Sequence, residues 1–227
     1  MDIWYADLSK FNGNPIAPGV LSQEEISKGE RFHLQAKRDN YYQAKSITRL
    51  LASRYLNIRA GSIAIHATRQ GKPYFEGKDR IHFNTSHSAN MFVIAFSDAP
   101  VGVDIELVRE LTDLKSVASN VFSLAEHTHF AGLVPAEQSK YFFKLWCIKE
   151  SFLKLTGSGL SGEPKEIAIS EHDDLFNKKT LEVRYKGSRA YGTFLNLDRS
   201  NFECFVCSGD RIQHLALHEA TPTSVYQ

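Results

Sequence analysis

Cysteine is scarce. Three in 227 residues cannot build a disulfide framework, and one would be left over. Cys204 and Cys207 form a lone C-x-x-C within FECFVCSG, which alternates like a strand. Residues three apart on a strand face opposite sides, and no second pair completes a zinc site, so both read as core packing. No apolar run approaches the roughly 18 residues of a spanning helix, which excludes a transmembrane segment. The opening MDIWYADLSKF has no basic stretch leading into an apolar one, so no signal peptide is expected and the chain reads as cytoplasmic and reduced. An excess of either charge is also missing. Lys plus Arg number 27 against 26 Asp plus Glu, net +1, so no global field marks a nucleic-acid or membrane-surface protein. Neither G-x-x-x-x-G-K-[ST] nor G-x-S-x-G occurs, which removes the phosphate-binding P-loop and the hydrolase serine elbow.

The chain does contain enough residues for one large domain or two compact ones, at 42% hydrophobic and 23% charged. Charge is locally uneven. Between Lys28 and Lys72 ten Lys or Arg stand against only Glu30 and Asp39, a patch suited to a polyanion or simply a solvated helix face.

The stretch YFFKLWCIKESFLKLTG, residues 141–157, organises the rest. At about 100° per residue it divides into two helix faces. Phe142, Leu145, Ile148, Phe152 and Leu155 make a stripe for burial. Trp146, Glu150 and Lys154 fall opposite at i, i+4, i+8, with Lys149 at the edge, and Gly157 supplies the stop. A surface Glu–Lys salt bridge would account for that second face by itself.

Around this helix, Ile3–Leu8 reads as a strand, and Ser22 with Glu25 as a capping box opening a helical region that runs through Leu56. Ser62–Thr68, Ile81–Asn84, Met91–Phe96 and Val101–Val108 read as strands, and 110–140 as polar helix. Strands follow at 166–170, 181–185, 191–197, 202–207 and 212–218, and the tail after Ala220 reads as unpacked. Helix followed by strands in each half predicts an α+β fold of two similar units, divided as 1–103 and 104–227.

In VGVDIELV, Asp104 and Glu106 share one strand face about 7 Å apart at Cα, able to turn onto one hard cation or onto water. Oxygen-only ligands favour Mg²⁺ or Mn²⁺ over zinc. Upstream, FNTSHS runs a strand into what reads as a donor-rich loop, fit to hold phosphate oxygens or to be only a polar turn. Two patterns mislead. Gly157–Gly162 matches G-x-G-x-x-G but follows a helix where the dinucleotide fingerprint follows a strand. Ser151-Phe152-Leu153-Lys154 matches S-x-x-K without its companion motifs. His127 and His129 lack a third ligand at metal spacing and read as surface residues.

Taken in order, Gly71-Lys72-Pro73, FNTSHS, GVDIE, Phe122-Ser123-x-x-Glu126 and W-x-x-K-E-x-x-x-K from Trp146 to Lys154 resemble the 4′-phosphopantetheinyl transferases. The likeness is to the larger, pseudodimeric class typified by the surfactin-synthetase activator. It implies two similar α+β halves about a pseudo-twofold, a monomer, and coenzyme A bound in the cleft between the halves. It also implies transfer of the phosphopantetheine arm to a serine of an apo acyl or peptidyl carrier protein, releasing 3′,5′-ADP. Carried over residue by residue, Asp104, Glu106 and Glu150 would hold Mg²⁺, with Mn²⁺ as an alternative. Ser86 and His87 would meet coenzyme A phosphate, Lys72 and Pro73 its adenine and ribose phosphate, and Lys28 would contribute to the same ligand. Lys154 would donate to the departing 3′,5′-ADP, Lys149 would reach phosphate oxygens, and Glu150 or Glu126 would take the serine proton. Residues 110–140 would face the carrier.

Overall fold

The structure is a computed structural model, and it describes every residue except 12, 14, 15, 17, 160, 161 and 227. Leu160 and Ser161, within the misleading glycine pattern, therefore lie outside the described residues. Two long helices, each of 22 residues, set the plan: α2, Gln35–Leu56, and α5, Pro135–Thr156. Each ends on a residue in the left-handed region, Asn57 (φ 54°) and Gly157 (φ 72°), which stops the helix as the sequence predicts for Gly157.

Helix α2 covers one four-stranded sheet, ordered β11-β1-β5-β4, where β1 is Asp2–Asp7, β4 His82–Ser88, β5 Met91–Ser97 and β11 Ala216–Glu219. Helix α5 covers a five-stranded sheet, β6-β10-β9-β8-β7, with β6 Val101–Leu107, β7 Ala168–Ile169, β8 Thr180–Tyr185, β9 Ser188–Phe194 and β10 Phe202–Ser208. Ile47 and Leu51 of α2 pack with Phe83, Phe92, Ile94 and Phe96, while Leu145, Ile148 and Phe152 of α5 pack with Leu181, Val183 and Phe205. A third core holds Ile3, Val93 and Ala95 of the first sheet with Val101, Val103, Ile105 and Val206 of the second. The fold is thus α+β, two helix-on-sheet layers packed sheet to sheet. Cys204 faces this central core and Cys207 the α5 core, the opposite-side placement that their spacing dictates.

Several expectations change. The region opened by Ser22 is two helices, α1 Gln23–Gly29 and α2, and the predicted capping box is present on the first. FNTSHS is not a loop, since β4 continues to Ser88 paired with β5. A division at 103/104 would cut β6. That strand starts the second sheet whole at Val101, and the chain returns near its far end to the first sheet. There β11 runs parallel to β1, and α6, Pro222–Tyr226, buries Val225 while Tyr226 donates its hydroxyl proton to Gln43. The tail after Ala220 is therefore packed. His127 and His129 are half-buried rather than on the surface, His129 lying 5.0 Å from the Tyr141 ring.

The closest approach of α5 to its sheet is at Gly102. A Cβ there would lie 1.9 Å from the Ser151 carbonyl oxygen and 2.6 Å from the Leu155 amide, both backbone. Neither can swing aside, so Gly102→Ala is expected to lever α5 off β6. The loss should exceed the roughly 1–3 kcal/mol typical of overpacking, with a matching drop in activity because Glu150 moves away from Asp104. A melting temperature within a few degrees of wild type would contradict this.

Candidate active site

β6 carries alternate side chains to its two faces. Val101, Val103 and Ile105 enter the central core, and Gly102, Asp104 and Glu106 face α5. The edge of β6 away from β10 meets β4 through side chains instead of a backbone ladder. Asn84 Oδ1 accepts from the Val103 amide (3.0 Å), and Ser88 Oγ from the Leu107 amide (3.1 Å). The same seam sets the acids. Ser86 Oγ donates to Asp104 Oδ1 at 2.8 Å, and Ser88 Oγ to Glu106 Oε2 at 2.8 Å. The small polar residues of FNTSHS thus join two sheets and orient two carboxylates.

From α5, Lys154 Nζ reaches Asp104 Oδ1 (2.6 Å), Ser86 Oγ (2.8 Å) and the Val103 carbonyl (3.2 Å). The sequence allowed a Glu150–Lys154 surface bridge, but the cation pairs with Asp104 instead. Asp104 is 3% exposed, and its second oxygen, Oδ2, is buried without a hydrogen-bond partner. Burial, then the charge of Asp104, raises the carboxyl pKa of both Glu106 and Glu150; the Ser88 hydroxyl and the Trp146 indole oppose this at Glu106.

Lys154 also lines a cleft of about 540 Å³, a size typical of small-molecule sites, together with Lys28, Tyr41, Lys45, Lys72 and Pro73 and the acids Glu24 and Glu25, while Asp104, Glu106 and Glu150 stand behind Lys154 and not on the cleft wall. Lys72 donates to the Leu155 carbonyl at the end of α5, and burial lowers its pKa. Lys45 is likewise lowered by burial. Arg49 is committed elsewhere, to Glu25 (2.6 Å) and to the carbonyls of Ala60 and Ile63. Lys45 and Tyr41 were missed at sequence level, although Tyr41, Lys45 and Arg49 follow one another at four-residue spacing on α2 and mark one helix face. His87 stands on the face of β4 opposite Ser86. Burial and then the neighbouring Lys154 lower its pKa.

Two expectations fail. Lys149 does not reach the cleft. It is 1% exposed, and its ammonium donates to Glu126 (2.6 Å) and to the carbonyls of Val121 (3.0 Å) and Pro164 (2.8 Å). Glu126 is no base near the cation site. It closes a capping box on Ser123 at the start of α4, Leu124–Gly132, and pairs with Lys149 in the core. The Lys149 ammonium spends its three donors on these acceptors, Glu126 Oε2 takes both Lys149 and the Ser123 amide, and neither buried residue lines the cleft.

Among the described residues no three His, Cys, Asp or Glu stand in a geometry that would already hold a metal. The donor set nevertheless suits a hard divalent cation. Asp104 Oδ2 is a buried oxygen lacking a donor, and two neighbouring carboxyls are raised by burial and by Asp104; a cation relieves all three.

Known proteins resemble this chain over most of its length. The family model of the 4′-phosphopantetheinyl transferase superfamily matches residues 100–207, and that of the 4′-phosphopantetheinyl transferase N-terminal region matches 10–99. The 4′-phosphopantetheinyl transferase Sfp of Bacillus subtilis is 30% identical over 154 residues, 68% of each chain. The 4′-phosphopantetheinyl transferase HetI of a Nostoc species is 30% identical over 156 residues, 66% of each. A solved structure, the holo-[acyl-carrier-protein] synthase of Thermotoga maritima, covers 50% of this chain and 64% of its own at 16% identity and a TM-score of 0.34. No helix among the described residues is long and apolar enough to cross a membrane. With both family models placed end to end, and the D-x-E strand and W-x-x-K-E helix facing each other, the chain belongs to the 4′-phosphopantetheinyl transferase superfamily, in the Sfp-like class.

Proposed function

We propose that this chain transfers the 4′-phosphopantetheine arm of coenzyme A to a serine hydroxyl of an apo acyl or peptidyl carrier protein, with Mg²⁺, releasing 3′,5′-ADP. In the reaction the serine oxygen attacks the pyrophosphate phosphorus attached to the pantetheine arm. The bond from that phosphorus to the oxygen of the 3′,5′-ADP group breaks, a phosphodiester forms, and the serine proton passes to a base. The observation that carries the reading is the orphaned Asp104 Oδ2 beside Glu106 and Glu150, with Asp104 joined through Lys154 to a cleft that Lys28, Lys45 and Lys72 also line.

Asp104, Glu106 and Glu150 would hold Mg²⁺, which supplies neutralisation of the pyrophosphate and of charge developing on the leaving phosphate. Lys28, Lys45 and Lys72 bind the phosphates, and Lys72 with Pro73 forms the end suited to the adenine and ribose phosphate. Desolvated ammonium groups act more strongly on an anion than hydrated ones do. Lys154 both lines the cleft and touches Asp104, so it can turn its ammonium to the departing phosphate. Ser86 orients Lys154 and Asp104 together, and His87 donates from the neighbouring strand face. Glu150 would accept the serine proton through a water, since ligation to Mg²⁺ lowers the basicity of the carboxylate itself. The chain acts as a cytoplasmic monomer, without nucleic acid or membrane as partner, and meets the carrier through residues 110–140.

The test weighs an apo carrier domain intact after incubation with the protein, coenzyme A and Mg²⁺. A gain of one phosphopantetheine arm is expected, with none in EDTA or with Asp104→Ala, and with Mn²⁺ substituting. Coenzyme A hydrolysed with no carrier gain, across fatty-acid, polyketide and peptide carriers, would instead identify a phosphohydrolase. Binding of coenzyme A that survives Asp104→Ala without either reaction would leave a binding module.

A further inference from the structure

The strand pairing places a fourth carboxylate beside the three discussed so far. In the antiparallel register of β10 with β6, Glu203 is directly opposite Glu106, so both side chains leave the sheet on the side facing α5, with Cβ atoms about 5 Å apart. Glu203 is 8% exposed. Its charge is taken by α5: Lys144 Nζ lies 3.0 Å from Oε2, and Lys140 Nζ 3.9 Å from Oε1. Lys144 is itself 8% exposed and rests over the Phe194 ring, 3.7 Å from its centroid. Lys144 is therefore held by a ring and a carboxylate and is not free to swing. Along α5 the order is Lys144, Glu150, Lys154, with lysines at both ends of a row of acids, Lys154 on Asp104 and Lys144 on Glu203.

We propose that Lys144 and Glu203 are positioning residues for the cation site: Lys144 neutralises Glu203 so that the cation meets three available carboxylates, not four. This rests on the reading that Asp104, Glu106 and Glu150 receive the metal. Two like charges directly opposite across a strand pair repel. Left unpaired, Glu203 would add its charge to the site beside Glu106, strengthen attraction for any divalent ion, and hold it too tightly for turnover. An unpaired Lys144 would do the reverse.

The test is a sign-coded set of variants, read by the concentration of Mg²⁺ that half-saturates the rise in melting temperature, without substrate. Lys144→Met is expected to bind Mg²⁺ about tenfold more tightly than wild type, and Glu203→Gln about tenfold more weakly. Lys144→Met with Glu203→Gln should return close to wild type. Lys140→Met changes an exposed side chain that leaves the fold undisturbed, and should shift binding in the same direction as Lys144→Met by about twofold. A pair that only supports the fold would lower the melting temperature of each single variant and leave every midpoint where it was; that result would overturn the proposal. A Lys144→Met that fails to fold leaves the opposite shifts of Lys140→Met and Glu203→Gln to decide. A wild-type protein whose melting temperature ignores Mg²⁺ would overturn the three-carboxylate reading itself, a different failure from unchanged midpoints in a responsive protein.

Discussion

Glu150→Gln is expected to lower carrier loading by roughly 10²–10⁴-fold, the range for loss of a positioned proton acceptor, while making the protein without divalent cation at least as stable as wild type at neutral pH. The two effects have one origin. Burial and then the charge of Asp104 raise the Glu150 carboxyl above its ordinary value, with Glu106 adding in the same direction. A carboxyl whose folded pKa is raised binds more protons folded than unfolded at intermediate pH, so its contribution is full below the ordinary carboxylate range and is lost as pH rises through the folded value. At pH 7 the ionised side chain is a burden on the fold, and glutamine removes it without removing bulk. Thermal melts in EDTA should therefore show the variant equal to or above wild type at pH 7, with the difference closing as pH falls to about 4. Added Mg²⁺ should stabilise wild type more than the variant. A variant that loads carriers normally would remove Glu150 from the reaction; one that melts well below wild type in EDTA at pH 7 would make it a structural residue.

Lys149→Met should behave in the opposite way, although the two residues are neighbours in one motif. The substitution strands Glu126 in the core without its cation and leaves the Val121 and Pro164 carbonyls without their donor. Breaking a buried ion pair from one side costs about 3–5 kcal/mol, which for a chain of this size corresponds to roughly 6–20 °C in melting temperature. Glu126→Gln should cost less, because glutamine can still accept from Lys149 and from the Ser123 amide. Coenzyme A affinity per folded molecule should stay within a factor of about two of wild type, since Lys149 has no path to the cleft. The informative comparison is melting temperature against coenzyme A titration on the same samples. A normal melt with weakened coenzyme A binding would put Lys149 back among the phosphate ligands.

The contrast between these neighbours also shows what the sequence could disclose. The face carrying Trp146, Glu150 and Lys154 was readable because its spacing is helical and its residues are polar, and the stripe opposite is buried as the spacing required. In the sequence, Lys149 is placed at the edge of the polar face, within reach of phosphate oxygens, because it stands beside Glu150 in the W-x-x-K-E motif. Its own spacing argued otherwise: Leu145, Lys149 and Leu153 follow at i, i+4, i+8, and both leucines are buried. The partner that makes its burial tolerable, Glu126, was visible only as a motif residue; its capping box on Ser123 repeats the pattern recognised at Ser22 and Glu25. FNTSHS reads as a loop because serine and asparagine favour turns. Here they serve a strand whose neighbour, β6, offers amides that only side chains can reach. Pairing across nearly a hundred residues or more, such as Glu106 with Glu203 or β1 with β11, leaves no local mark in the sequence.

The parallel pairing of residues 2–5 with 216–219 has a consequence for how the protein comes to be made. Strand β1 stays unpaired on one side for as long as residue 216 is still to be added at the ribosome, and α2 waits equally for Val225 and Tyr226. At about 5–20 residues per second, that is roughly ten seconds or more with an open sheet edge of DIWYAD exposed to other chains. The second sheet has no such delay, since its strands all fall between residues 101 and 208. The later-synthesised layer can therefore close first, and the layer begun at residue 2 is the one that depends on dilution or a chaperone until residues 216–219 have been added.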